Sequence, residues 1–147
     1  MTIFLHFIVV FTTGLYAGGC LLSSTVVHPA RLACSDKEAL AHIRADHKYV
    51  EYSLPLILLS AVLSSGGYWY LAGMSDLTIL VVCVLLFAIV PYSVLVVGPT
   101  LHRLMDPSAR YEKNEVRGLL QRWTWLHLVR TLVGIAAFAA IIWQKWV

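Results

Sequence analysis

The stretch Gln121–Gly134, QRWTWLHLVRTLVG, sets a histidine and an arginine inside an apolar run. At about 100° per residue, Trp123, His127, Arg130 and Gly134 fall within an arc of about 60° and share one helix face, with Trp125 on the other side. Two cationic or cationisable groups on one face call for an anionic or electron-rich partner, and a bound enolate or phenolate oxygen would serve. Arg130 lies about 10 Å beyond Trp123 along the helix axis, a depth that allows two readings. In one, Arg130 snorkels back to the headgroups and His127 is a hydrogen-bonded packing residue. In the other, the stripe faces the bundle interior and lines a ligand pocket, the usual meaning of an intramembrane charge. The apolar runs hold no Asp or Glu to pair with Arg130. Glu51, Asp46 and Asp106 at the boundary are within reach of it, as is a carbonyl freed by Pro91.

The histidines raise a second chemistry. His28, His47, His102 and His127 come from four chain segments at a similar depth, and imidazole suits zinc, copper and haem iron. The sequence has no HxxxH or HxH pair and no ExxH of the di-iron bundles. No cofactor is therefore expected, with a His-ligated metal or haem as the alternative.

The elements that must position these residues follow from composition. The chain is 59% hydrophobic and 13% charged over 147 residues, more apolar surface than a soluble domain of this size can hide. The expected fold is all-α, a polytopic membrane four-helix bundle in one domain over 1–147. Four apolar runs are long enough to span a bilayer, roughly residues 3–27, 52–74, 77–98 and 123–143. The first continues too far, and lacks the basic start, for a signal peptide. A tight polar turn at Ser75 and Asp76 joins the second and third. The other two connections are long, and each is expected to hold a short interfacial helix: Ala39, Leu40, Ile43 and Val50 recur at helical spacing in one, Val116, Leu119 and Leu120 in the other.

Those connections carry Arg31, Lys37, Arg44, Lys48, Arg103, Arg110, Lys113, Arg117 and Arg122, against Lys145 alone in the C-terminal tail. The positive-inside rule then puts both long loops in the cytoplasm and both termini outside. Trp69, Tyr70, Trp143 and Trp146 form one aromatic belt, and Tyr49, Tyr52, Trp123 and Trp125 the other. The net charge of +3 reflects these loops and gives no nucleic-acid surface. Cys20, Cys34 and Cys83 are scattered and read as free thiols. Pro29, Pro55, Pro91 and Pro99 gather on the basic side; Pro29 and Pro99 are placed to end helices, and Pro91 to kink one. Several breaks at one level point to a pocket in the inner half, since freed backbone groups in lipid need protein or water. Gly14 and Gly18 form a GxxxG step suited to close helix packing, with Thr12, Thr13 and Tyr16 beside it. Helices one and three each end in a proline followed by basic residues, a weak internal similarity. Expected partners are the lipid bilayer and a hydrophobic small molecule, with a homo-oligomer left open.

VVHPAR after helix one, PYSVLVVGPT followed by RLMDP, and LLQRWTWLHLVRTLVG together resemble the anthrone-oxygenase-like family. These are small four-helix integral membrane proteins, mostly bacterial and long catalogued as a domain of unknown function. The similarity spans nearly the whole chain. Trp123, His127 and Arg130 meet the family's W-x3-H-x2-R signature; Pro91, Pro99 and Thr100 meet its proline-containing third helix. His28 with Pro29, and Tyr49 with Pro55, meet the end of helix one and the entry to helix two. The chain departs at Leu101, where Asn is frequent, and at His127, where fungal members often carry Asn. The resemblance implies a cofactor-independent oxygenase of the bacterial inner membrane that oxidises a hydrophobic aromatic or quinol-like substrate with O2. It implies His127 as base, Arg130 as oxyanion stabiliser, and Trp123 and Tyr49 framing the aromatic ligand. His28, Pro91, Tyr92 and Thr100 complete the expected substrate site. The parallel reading is a non-catalytic binding or accessory protein for lipid, quinone or a larger complex.

Overall fold

The computed structural model describes residues 2–112 and 114–144. Expectations that rest on Lys113, Lys145 and Trp146, or on the side chains of Lys48, Val50 and Glu51, lie outside the described residues. The chain is helical throughout its ordered elements: α1 (Thr2–Leu22), a π-helical turn (Ser23–Val27), α2 (His28–Ala33), α3 (Asp36–Leu71), α4 (Leu77–Tyr92), a second π-helical turn (Ser93–Val97), α5 (Gly98–Met105) and α6 (Glu115–Trp143). Four continuous stretches are long and apolar enough to cross a bilayer: Ile3–Ala33, Tyr52–Leu71, Leu77–Met105 and Glu115–Trp143. The protein is thus an integral membrane helical bundle. α1 packs against α3 and α6, and α4 packs against the same two, closing a four-membered ring.

The helices run further than their apolar runs. Pro29 and Pro99 do not end helices one and three, which continue to Ala33 and Met105. The reason is the turn in front of each proline. His28 N–H bonds Ser23 O, and Gly98 N–H bonds Ser93 O, five residues back instead of four. A proline ring in a regular helix collides with the carbonyl four residues earlier; the wider turn relieves that collision, and the helix passes through.

The same turns shift the helix face. Buried positions repeat every seven residues before them, Val9 to Tyr16 and Thr13 to Cys20 in α1, Ile79 to Leu86 and Val82 to Ile89 in α4. Across the turns the step becomes eight, Cys20 to His28 and Ile89 to Val97. One inserted residue restores inward facing for everything that follows.

No separate interfacial helices form among the described residues; the segments expected to make them are the opening turns of α3 and α6. α3 starts at a capping box in which Ser35 Oγ accepts from Glu38 N–H and the Glu38 carboxylate accepts from Ser35 N–H. The Ser35 hydrogen bonds hold the Glu38 carboxyl below the usual carboxylate range. Two arginines close the helix ends that precede α3 and α6. Arg117 donates to Leu32 O and Cys34 O at the end of α2, and pairs with Asp36 at 3.4 Å. Arg44 donates to Leu104 O and Asp106 O at the end of α5. Each satisfies last-turn carbonyls that a helix leaves unpaired.

The core divides into two. One cluster, including Val9, Tyr16, Cys20, Ile79, Leu86 and Ile141, fills the membrane centre. The other, with Ala39, Ile43, Val97, Leu104, Leu120 and Trp123, lies at the arginine-rich end. Gly14 and Gly134 permit the closest helix approaches to α6 and α1. A Cβ on Gly14 would stand 3.0 Å from the Phe138 ring, and one on Gly134 would stand 3.3 Å from the Tyr16 ring and 3.4 Å from Ala17 Cα. Gly18, the other half of the GxxxG step, has nothing within 4 Å of that position.

Gly134→Val is therefore expected to lower thermal stability by about 1–3 kcal/mol through overpacking against Tyr16. Gly18→Ala should leave it unchanged or raise it by about 0.5–1 kcal/mol through helix propensity. Melting curves of the two variants in one detergent check the contrast, and equal melting points would contradict the packing of Gly134 on Tyr16.

Candidate functional site

The face that the helix wheel gives Trp123, His127, Arg130 and Gly134 in common is turned inward, the second of the two readings, and Trp125 is 70% exposed on the opposite side. The partner is helix one. His127 is 3% exposed, and its Nδ1 lies 3.2 Å from Ser24 Oγ. Ser24 Oγ is 2.7 Å from Thr131 Oγ1, and Thr131 Oγ1 is 3.1 Å from Cys20 O and 3.2 Å from His127 O. His28 sits between the two aromatic members of the stripe. Its ring centroid is 4.8 Å from that of His127 and 4.6 Å from that of Trp123, edge-on to the indole. Among the described residues, His28 Nε2 is buried without a hydrogen-bond partner.

Arg31 extends the stack, its guanidinium 5.0 Å from the Trp123 ring centre, and is paired with Asp46 of α3. A cation over indole is worth about 0.5–2 kcal/mol, and the carboxylate compensates the charge of a side chain that is 8% exposed. Deeper along the stripe, Arg130 Nε donates to Tyr16 Oη at 3.5 Å. Tyr16 is fully buried, and its ring occupies the space that Gly134 leaves by having no side chain.

Among the described residues the hydrogen-bond partner of Arg130 is thus a phenol. Asp46 is taken by Arg31. The Asp106 side chain accepts from Ser108 N–H and Oγ–H, bonds that hold its carboxyl below the usual carboxylate range. Ser24 and Arg130 keep partial exposure, while Trp123, His28, His127 and Thr131 lie behind them.

The expected site is only partly assembled. Tyr92 reaches helix four from the other flank, its hydroxyl donating to Leu126 O at 3.0 Å. Thr100 is buried on α5, with no hydrogen bond to the cluster among the described residues. Pro91 faces outward, as do Pro29, Pro55 and Pro99, because each widened or proline-bearing turn presents its ring to the lipid side. Tyr49 is 67% exposed on α3, and the residue α3 supplies to the stack is Asp46, about one turn earlier.

Of the four histidines weighed as metal ligands, His28 and His127 meet and His102 is exposed. Among the described residues no group of three or more His, Cys, Asp or Glu is placed to hold a metal ion. His28, Ser24 and Tyr16 stand directly beside the stripe. An apolar groove of about 450 Å³ runs along Val10, Phe11, Gly14, Leu15, Gly18, Gly19 and Phe138.

The family model described as anthrone oxygenase matches residues 47–140. The chain belongs to the anthrone oxygenase family. The comparisons with curated proteins and with solved structures gave no match. The match to anthrone oxygenases runs from the middle of α3 through most of α6 and so contains Trp123, His127, Arg130 and Thr131. Tyr16, Ser24, His28 and Arg31, which complete the cluster, come from helix one and precede it.

Sequence reading misses Ser24, Thr131 and Arg31. A signal for one of these, Ser24, exists in helix one: Tyr16, Cys20, Ser24 and His28 recur every four residues. In a straight helix that spacing drifts by about 40° per step, and only the π turn realigns it with the buried face.

Proposed function

We propose that the protein is a membrane oxygenase acting on a flat, hydrophobic aromatic carbon acid of the anthrone type, in the half of the membrane facing the cytoplasm. The observation that carries this reading is one helix face that holds a buried imidazole and, about one turn on, a half-buried guanidinium that no carboxylate neutralises among the described residues.

His127 takes a proton from the activated methylene, and Arg130, with the Tyr16 hydroxyl beside it, holds the enolate oxygen. The electron-rich carbanion carbon forms a bond to O2. The hydroperoxide, once protonated, loses water as its carbon surrenders the second hydrogen and becomes a carbonyl. One oxygen atom enters the product and the other leaves as water, so anthrone and O2 give anthraquinone and H2O in equal amounts. The family resemblance implies that this proceeds without a cofactor. Trp123 and His28 offer ring faces and edges to an aromatic ligand, and a ligand oxygen would satisfy His28 Nε2.

Purified protein in lipid nanodiscs, given anthrone and air-saturated buffer, should form anthraquinone with one O2 consumed per product, well above the protein-free rate. Equality of the two rates would end the proposal.

A second reading, a non-catalytic subunit that binds lipid or quinone, is favoured by one observation. Trp123 and His127 are packed closely against helix one. It predicts saturable quenching of tryptophan fluorescence by a quinone with no turnover.

A further inference from the structure

We infer that Ser24 and Thr131 form a positioning pair that holds His127 as its Nδ1–H tautomer and leaves Nε2 as the proton-accepting nitrogen. The inference follows from counting hydrogens. A hydroxyl has one hydrogen to donate and two lone pairs to accept with. Thr131 Oγ1 lies 3.1 Å from Cys20 O and 3.2 Å from His127 O, and carbonyl oxygens only accept. Given to a carbonyl, the Thr131 hydrogen allows three hydrogen bonds, with the Ser24–Thr131 and Ser24–His127 contacts as the other two; given to Ser24 Oγ, it leaves both carbonyl contacts empty and allows two, so the count places it on a carbonyl. In the 2.7 Å contact between Ser24 and Thr131, Ser24 must then be the donor. With its single hydrogen spent, Ser24 Oγ can only accept from His127 Nδ1, 3.2 Å away. In a neutral imidazole one nitrogen carries the hydrogen and the other the lone pair. The lone pair is thus on Nε2.

Two features keep this chain of bonds in one sense. Its members are held by different elements, Ser24 by the π turn of helix one and Thr131 one turn after His127 on α6. Thr131 is also 2% exposed, so bulk water does not compete for its hydrogen. The wide turn matters because it brings Ser24 to the face that His127 occupies. One member of the pair that sets the tautomer of His127, Ser24, therefore lies outside the matched family segment, and the other, Thr131, lies within it.

The consequence for turnover rests on the proposal that His127 is the base, whereas the tautomer assignment stands alone. It is tested on the full chain in nanodiscs with 15N-labelled histidine, with the His127 signals identified by their loss in His127→Gln. At a pH where the ring is neutral, wild-type His127 should show a protonated Nδ1 and a bare Nε2, the Nδ1–H form in excess by roughly tenfold or more. Thr131→Val removes the acceptor of the Ser24 hydrogen, which can then turn to His127 Nδ1, so the tautomer should switch to Nε2–H. Ser24→Ala should leave a mixture, and Ser24→Thr should restore the wild-type pattern. A wild-type ring protonated at Nε2, or a ring unchanged in both Thr131→Val and Ser24→Ala, overturns the inference. A correct tautomer pattern combined with full oxygenase activity in Thr131→Val would uphold the positioning pair and remove His127 from the reaction.

Discussion

Replacing His127 with alanine is expected to lower oxygenase turnover by about 10²–10⁴-fold, the range over which a positioned general base contributes. The loss should fall on kcat, because the imidazole acts as the proton leaves and not when the apolar substrate partitions into the bundle. His127→Gln keeps most of the volume and can still bond Ser24, which lies 3.2 Å from Nδ1, so it should fold well and be almost as inactive. A substrate enolised in advance bypasses the proton transfer. It should restore part of the rate to both variants and add little to wild type. Single-turnover absorbance measurements in nanodiscs read all of these. Unimpaired turnover by His127→Gln would show that proton removal lies with another group, and His28, whose ring centroid is 4.8 Å from that of His127, would be next to test.

Much of the bundle is legible in the sequence because the bilayer leaves few choices. Four apolar runs, a short polar turn and basic connections define an all-helical membrane protein, and the wheel of helix four puts Trp123 and His127 on one face and Trp125 on the other, of which the first is buried and the second exposed. The two π turns are hidden for a physical reason. Leu77–Gly98 is apolar on every side, so a one-residue slip in the buried face leaves no trace in the hydropathy pattern. Pro29 and Pro99 read as helix ends because a proline ordinarily blocks the preceding turn, and nothing local announces the wider turn that admits them. The partner of the stripe is hidden for another reason. Wheel positions say which residues share a face, not which helix faces them. Ser24 and Arg31 are ordinary residues until α1 is placed beside α6, and Pro91 and Tyr49 look like pocket walls until their exposure is seen.

Helix packing also gives the weak internal similarity a structural meaning. Ser23–Val27 and Ser93–Val97 are matching π turns before matching prolines, and Arg117 and Arg44 cap the helix ends that follow. Counting from those arginines, His127 and Leu54 each come ten residues on, and Thr131 and Leu58 fourteen. All four are buried. On α6 the two positions are His127 and Thr131, which meet Ser24 and His28 of helix one, whereas on α3 the matching positions are the apolar Leu54 and Leu58. The apolar version shows what the scaffold needs in order to pack. The polar residues of the other interface exceed that need, and buried polar groups cost stability unless fully paired. Their presence on one side only supports the proposed site on that side.

Arg130→Met is expected to reduce kcat by about 10²–10³-fold, equivalent to about 2.7–4 kcal/mol of lost oxyanion stabilisation. Methionine keeps the unbranched stem that packs along helix four and removes only the charged head. The effect should be large because the native guanidinium has Tyr16 Oη at 3.5 Å as its neighbour, so its charge remains available to an incoming anion. Arg130→Lys keeps the charge but not the planar fork, and should retain an intermediate rate. Tyr16→Phe leaves the charge in place and removes a single hydroxyl, so its loss should be smaller, near tenfold, the worth of one neutral hydrogen bond. The thermal stability of Arg130→Met should equal or exceed that of wild type, because the substitution takes a half-buried cation out of the bundle. That combination, a more stable protein with a large loss of kcat, separates a group kept for chemistry from one kept for packing. A variant both less stable and still active would instead assign Arg130 to the lipid headgroups and leave the oxyanion without a protein cation.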